Sequence, residues 1–374
     1  MQNWSKRIAN EPGDNYPDGE HQLAFLSRET VIPCDETMLQ GDTTGSTDPS
    51  TDEVESPRTR ADKLLNQGCD QHQAGLFDAA LESFRQAHKL YLELGELAGQ
   101  EKCLSSMGLT YYSMRNYLKS VEFSLQGLEI AQTLDDKRSV TKILGNLGNA
   151  YRHLKEQTKA IEYQQQSLTI AEEIQDSRSE MAALNNLGLA YKAMGDHKTA
   201  IHYEERSLVI ARNLKDEQVE EQILKNLGNA CYALGDYPKA IDYYQQRLTL
   251  ARALKDHRTE GQILRNLGNA CYALGDYEQS VEYSKQWLTI SREIKDHRGE
   301  EQSLGSIGVA YDAMGNYTGA IDYYEQRLAL ARRMQDHRVE EQVLGSLKVA
   351  YYALGDFVKS ADYSQQRQAI LQTN

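Results

Sequence analysis

Proline is scarce beyond the first 57 residues of this chain. Five of its six prolines (Pro12, Pro17, Pro33, Pro49, Pro57) lie there, and Pro238 is the sixth. Cysteine is scarce too. Cys34, Cys69, Cys103, Cys231 and Cys271 make an odd set without CxxC or other metal spacing, which points away from a disulfide framework or a zinc site. Such cysteine usage fits a reducing compartment, most simply the cytoplasm. Cations are in deficit, 41 Lys and Arg against 55 Asp and Glu, for a net charge of −14. That balance argues against nucleic-acid backbones and anionic membrane surfaces as partners. No apolar run approaches the roughly 20 residues that span a bilayer, and the opening MQNWSKRIAN lacks the apolar core of a signal peptide. No Gly-rich phosphate loop, Ser-His-Asp set or carboxylate pair stands out from the background, so neither a cofactor nor catalysis is expected.

What the chain has instead is repetition. NLGNACYALGDYPKAIDYYQQRLTLARALKD begins at Asn226, and NLGNACYALGDYEQSVEYSKQWLTISREIKD begins forty residues later at Asn266. Leu104, Leu144, Leu184, Leu224, Leu264, Leu304 and Leu344 keep the same step. So do Gly108, Gly148, Gly188, Gly228, Gly268 and Gly308. Leu64 and Gly68 add one more unit in front. Eight units follow, at about 58–95, 98–135, 138–175, 178–215, 218–255, 258–295, 298–335 and 338–373, with no insertion between them. A fixed period of this length predicts a stacked array.

The fifth unit shows why each is a helical hairpin. Ile223, Leu224, Leu227, Cys231 and Leu234 recur three or four apart, as one face of a helix A from near Val219 to Leu234. Gly235 suits a helix end and Asp236 a helix start. Pro238 falls in the first turn of helix B, where its missing N–H needs no partner. Ile241, Tyr244, Leu248, Ala251 and Leu254 predict the buried stripe of that helix, and Asp256 is placed to cap the next. Gly228 and Ala240 are the small residues expected to let the two backbones approach. The Ala240 slot is Ala or Ser in every copy, whereas Lys348 replaces the glycine in the eighth. Cys231 and Cys271 fill a core slot that is Tyr151, Tyr191 and Tyr311 elsewhere. His257, His297 and His337, forty apart, cannot share a metal. The tyrosines at 163, 203, 243, 283, 323 and 363 read as packing residues.

Residues 1–57 differ. Twelve acids against Lys6, Arg7 and Arg28 give −9, leaving −5 for the repeats. GDTTGSTDPSTDEVESP is too polar to bury a core, so a disordered acidic tail is expected.

The recurring Leu224, Leu227, Gly228, Tyr232, Gly235, Tyr237, Ala240 and Tyr244 pattern resembles the tetratricopeptide repeat. The unit is forty residues rather than about 34, and Arg252 occupies the slot of the usual terminal proline. This long form is similar to the arrays of Pins-type modulators of heterotrimeric G proteins, and equally to cyanobacterial arrays. The GoLoco Asp-Gln-Arg triad that follows the former array does not occur, which leaves a G-protein role unsupported. The resemblance implies an all-α, right-handed α-solenoid of eight helix-turn-helix units. It further implies that helix A residues line a groove for extended peptides. The inward slots would carry Asn146, Asn186, Asn226 and Asn266, then Asn149, Asn229 and Asn269, then Arg152, Lys192, Tyr232 and Tyr272, with Lys225 and Arg265 beside them. Asn amides both donate and accept, so a row of them can hold a peptide backbone, and the cations would select carboxylates. Asn in these slots also serves arrays by bridging neighbouring helices, and both readings stand. A protein scaffold for an acidic peptide is the leading expectation. A self-regulated array whose tail fills the groove, or a helper in complex assembly, are the alternatives. Pairing of copies through the terminal repeats is left open.

Overall fold

The structure, a computed structural model, describes residues 56–373, so the acidic tail expected at residues 1–57 lies almost wholly outside the described residues. The described residues are helical throughout and fall into two units, divided between Leu214 and Lys215. The first unit holds α1 (Pro57–Gln73), α2 (Phe77–Leu94), α3 (Leu97–Ser113), α4 (Tyr117–Thr133), α5 (Lys137–His153), α6 (Gln157–Glu173), α7 (Ser177–Ala193) and α8 (His197–Leu214). The second holds α9 (Glu217–Leu234), α10 (Tyr237–Ala253), α11 (His257–Leu274), α12 (Tyr277–Glu293), α13 (His297–Ala313), α14 (Tyr317–Met334), α15 (His337–Ala353) and α16 (Phe357–Thr373). Odd-numbered helices are the A helices, even-numbered the B helices. Within each unit every helix packs on the next, and α3, α5 and α7 also touch side by side. No described helix is long and apolar enough to cross a membrane.

Short polar side chains set the helix starts. Asp216, Asp236, Asp256 and Asp276 each accept a backbone N–H three residues on, at 3.0–3.3 Å, which satisfies a donor the helix cannot. Pro238 sits in the first turn of α10. Gly235 ends α9 in the left-handed region at φ 79°. After Gly95, the turns from helix B to helix A use non-glycine residues in that region, Asp135, Gln175, Lys215, Lys255, Lys295 and Gln335, all between 53° and 59°, and Arg115 and Lys155 do so in two A-to-B turns. Nothing in their residue types announces this conformation.

Ile223, Leu224, Leu227 and Cys231 are wholly buried, as their spacing predicts. The last leucine of each predicted stripe is not. Leu234 is 42 % exposed and Leu254 59 %. Each stands where its helix gives way to a turn, beyond the reach of the neighbouring helices. Arg252 lies in the last turn of α10 and bonds Glu260 at 2.7 Å and Gln286 at 2.9 Å. Arg292 and Arg332 repeat this clamp one and two units on. The recurrent tyrosines stack in pairs twelve residues apart, such as Tyr151 on Tyr163 with ring centroids at 5.3 Å. His257, His297 and His337 are exposed, each beside the glutamate three residues on.

Nearest to Gly228 is the ring of Tyr244, sixteen residues on and four beyond Ala240. The same offset holds for Gly68 and Phe84, Gly148 and Gln164, Gly188 and Glu204, and Gly308 and Tyr324. Where that slot is serine, the backbone of the Ala240 slot is also among the nearest neighbours. A Cβ on Gly108 would lie 3.3 Å from the carbonyl of Ser120. The glycine therefore makes room for a helix B side chain, and its partner slot is Ser364 in the eighth unit, where Lys348 replaces it. Lys348 is exposed there.

Candidate functional site

In the first unit, α3, α5 and α7 carry Tyr112, Arg152 and Lys192 at one register position near their C-terminal ends. Arg152 is half-buried. Its Nη2 lies 3.3 Å from His153 Nε2, and its Nε is buried without a partner. Among the described residues no carboxylate pairs with it. Burial pulls the guanidinium below its ordinary pKa, against the opposing influence of Tyr112 and Tyr117. Aromatic side chains build the wall around it. Tyr117 stacks on His153 at 4.6 Å and 6°, and His153 Nε2 lies 3.0 Å from the Tyr112 hydroxyl. His153 escapes the sequence pattern, since it occurs in one copy only, whereas Tyr117 fills the recurrent Tyr237 slot at the start of a B helix.

Asn146 and Asn149 are half-buried on α5. Gln164 Nε2 reaches Asn149 at 3.5 Å while making its better bond, 2.8 Å, to the carbonyl of Gly145. Asn186 on α7 is 6 % exposed, and its Oδ1 has no partner. Lys192 is half-buried. Its charge acts on Glu204, which is wholly buried with both carboxylate oxygens unpaired. A pocket opens between α1, α3 and α5, where Asn146 meets Glu101, Ser105, Ser139, Lys142 and His72.

In the second unit Asn226 is 5 % exposed. It accepts from Gln222 Nε2 at 3.2 Å and leaves its own Nδ2 unpaired. Asn229 accepts the Tyr244 hydroxyl at 2.8 Å, so it is engaged from below by helix B. Lys225, Arg265 and Asn266 are half-buried and Asn269 is exposed. Tyr232 meets Tyr237 edge-on at 5.4 Å, and Tyr272 meets Tyr277 at 5.2 Å. Burial raises both the Tyr232 and Tyr272 hydroxyls. These are the surroundings of polar groups on a helix surface. No group of His, Cys, Asp or Glu able to hold a metal occurs among the described residues.

The tetratricopeptide repeat family model matches residues 100–173, 139–213, 179–253 and 259–333, together more than half of the chain. The chain belongs to the tetratricopeptide repeat family. No curated protein matches it in sequence. Solved structures match its fold. A signal transduction ATPase from Pyrococcus horikoshii with a tetratricopeptide repeat sensor is 18 % identical at a TM-score of 0.56, over 84 % of this chain and 49 % of that one. The apo form of RapI is 15 % identical at 0.53, over 74 % and 99 %. The quorum sensor NprR from B. thuringiensis is 16 % identical at 0.51, over 96 % and 100 %. At these identities the likeness is one of fold.

Proposed function

We propose that this chain is a non-enzymatic protein-interaction scaffold, and that the A-helix face of its first unit holds an extended partner segment by its carboxylates. The observation that carries this reading is Arg152. A guanidinium half-removed from water, with a buried Nε unpaired and no carboxylate beside it, is an incomplete ion pair. A carboxylate from outside completes it, in the planar two-bond geometry that arginine favours. Tyr112, Tyr117 and His153 hold the guanidinium in place, which lowers the ordering cost of binding. Asn146 and Asn149 on the same helix, and Asn186 with its unpaired Oδ1 on the next, supply amides for the partner's backbone. Lys192 adds a second charge one repeat along. In the second unit Asn226, Tyr232, Arg265, Asn266, Asn269 and Tyr272, with Lys225 and Asn229, offer the same amide-and-aromatic lining. The proteins described as a sensor and a quorum sensor among the fold neighbours fit a role in recognition.

The test uses a fluorescein-labelled decapeptide of glutamate and serine, and its glutamine counterpart, titrated against the full chain by anisotropy. The glutamate peptide is expected to bind more tightly, and to weaken as salt screens the contact. Arg152→Gln is expected to cost it about tenfold in affinity with helical circular dichroism unchanged. Equal binding of the two peptides, or an indifferent Arg152→Gln, would sink the carboxylate reading.

A further inference from the structure

One pair of slots, twenty-six residues apart, joins each helix A to its own helix B. In the fifth, seventh and eighth repeats it reads Glu and Arg. Arg247 Nε donates to Glu221 at 2.5 Å, Arg327 Nε to Glu301 at 2.6 Å, and Arg367 Nε to Glu341 at 2.5 Å. In the sixth repeat both residues change together. Gly261 replaces the acid and Trp287 the base, and the indole fills the freed space 3.4 Å from where a Cβ would stand. The first, third and fourth repeats have no acid there: Ala61, Thr141 and Met181.

The second repeat breaks the rule. It keeps the acid, Glu101, but the base is Gly127. Glu101 is 3 % exposed, against 7 % for the paired Glu301. Among the described residues no Lys, Arg or His forms an ion pair with it. Its carboxylate is met by hydroxyls, Ser105 Oγ at 2.6 Å and Ser139 from α5. Desolvation raises its pKa, against the lesser opposing pull of Ser105, Lys102 and Ser139. Glu101, Ser105, Ser106, Ser139 and Asn146 all border the pocket between α1, α3 and α5. His72 on the same wall lies 3.0 Å from Thr110 Oγ1 and is lowered by burial, so it supplies no positive charge near neutral pH.

We infer that this pocket receives the guanidinium of an arginine side chain from a protein partner, which gives Glu101 the kind of partner that the second repeat lacks. Three repeats of the same chain show that this glutamate slot binds a guanidinium when one is within reach. The hydroxyls and the Asn146 amide around Glu101 are acceptors for the remaining N–H groups, which a planar five-donor head needs and an ammonium uses less fully. Lys142, also on the lining, opposes a cation there, so its loss should tighten binding. This site is distinct in charge from the Arg152 site. The two readings stand or fall separately.

The probe is N-acetyl-arginine methylamide, titrated into the full chain and followed by amide NMR shifts, with the neutral citrulline analogue as control. Shifts around Glu101–Leu109 and Ser139–Asn146 are expected to saturate with the arginine compound at about a tenth of the concentration the citrulline one requires. Glu101→Gln is expected to abolish the difference, and Lys142→Met to enlarge it. Gly127→Arg combined with Ser105→Gly rebuilds the seventh repeat's Glu301, Gly305 and Arg327. It should fill the site internally and remove the response. Equal response to the two compounds would overturn the inference, as would an arginine response that survives Glu101→Gln or weakens in Lys142→Met. Should the double variant fail to fold, Glu101→Gln, isosteric with the native residue, still decides.

Discussion

Replacing Glu204 with glutamine is expected to stabilise the fourth repeat, and the gain should grow with pH. Glu204 is wholly buried on α8 over Gly188, its two oxygens are unpaired, and desolvation raises its carboxyl to about 8. Lys192 pulls the other way but too weakly to offset burial. The unfolded chain releases this proton at the ordinary carboxylate value, roughly 4.3. Below that pH both states carry the proton, and Glu204 costs little. As pH rises towards 8 the unfolded state ionises while the folded state still holds its proton, so stability falls. Above about 8 both are ionised and the full penalty remains, roughly 2–4 kcal/mol after allowance for relaxation. The preceding repeat shows the remedy. Gln164 stands in the same slot and donates to the carbonyl of Gly145 at 2.8 Å. A glutamine at 204 can make that bond to the carbonyl of Asn185. Melting of the parent and of Glu204→Gln should therefore differ little near pH 4 and most near pH 9. A difference that stays constant across that range would show that Glu204 is not protonated in the fold.

Glu204 also shows where sequence reading stops. The forty-residue step, the glycine-aspartate turns and the three-four spacing made the helical hairpins legible without any structure, since each is a local rule. Pairing across the hairpin is not local. The Ala240 slot is small in every copy and looks like the partner of Gly228, but the residue four further on stands nearer still. That slot varies from copy to copy: Phe84, Ser124, Gln164, Glu204, Tyr244, Ser284, Tyr324, Ser364. Its variation reads as noise until the register across the hairpin is known. The same holds for Glu101 and Gly127, whose mismatch has meaning only beside Arg327 and Glu301. The surface positions were legible in part. Spacing brought Tyr112, Arg152 and Lys192 to one register, but it could not show that Arg152 lacks a counter-ion. Nor could it bring in Tyr117 and His153, which belong to different slots and hold the guanidinium.

Gly228→Ala is expected to be among the most damaging single methyl additions in the second unit. A Cβ there would overlap the Tyr244 ring, itself 2 % exposed and tied through its hydroxyl to Asn229. The ring cannot rotate away without leaving Asn229, so the cost should reach about 1–3 kcal/mol or more. Gly268→Ala one repeat on meets the Ser284 hydroxyl at 3.0 Å, a small group that can turn aside, and should cost clearly less. The eighth repeat already carries the compensated pair, Lys348 with Ser364. It follows that Tyr244→Ser, costly alone because it removes a buried ring, should suppress much of the harm of Gly228→Ala. The double variant is then less destabilised than the sum of the two by about 1–2 kcal/mol. Urea unfolding of the four chains, with hydrogen exchange in α9 and α10 to localise the change, measures the coupling. Strict additivity would mean that the glycine serves the helix backbones and not the ring above it.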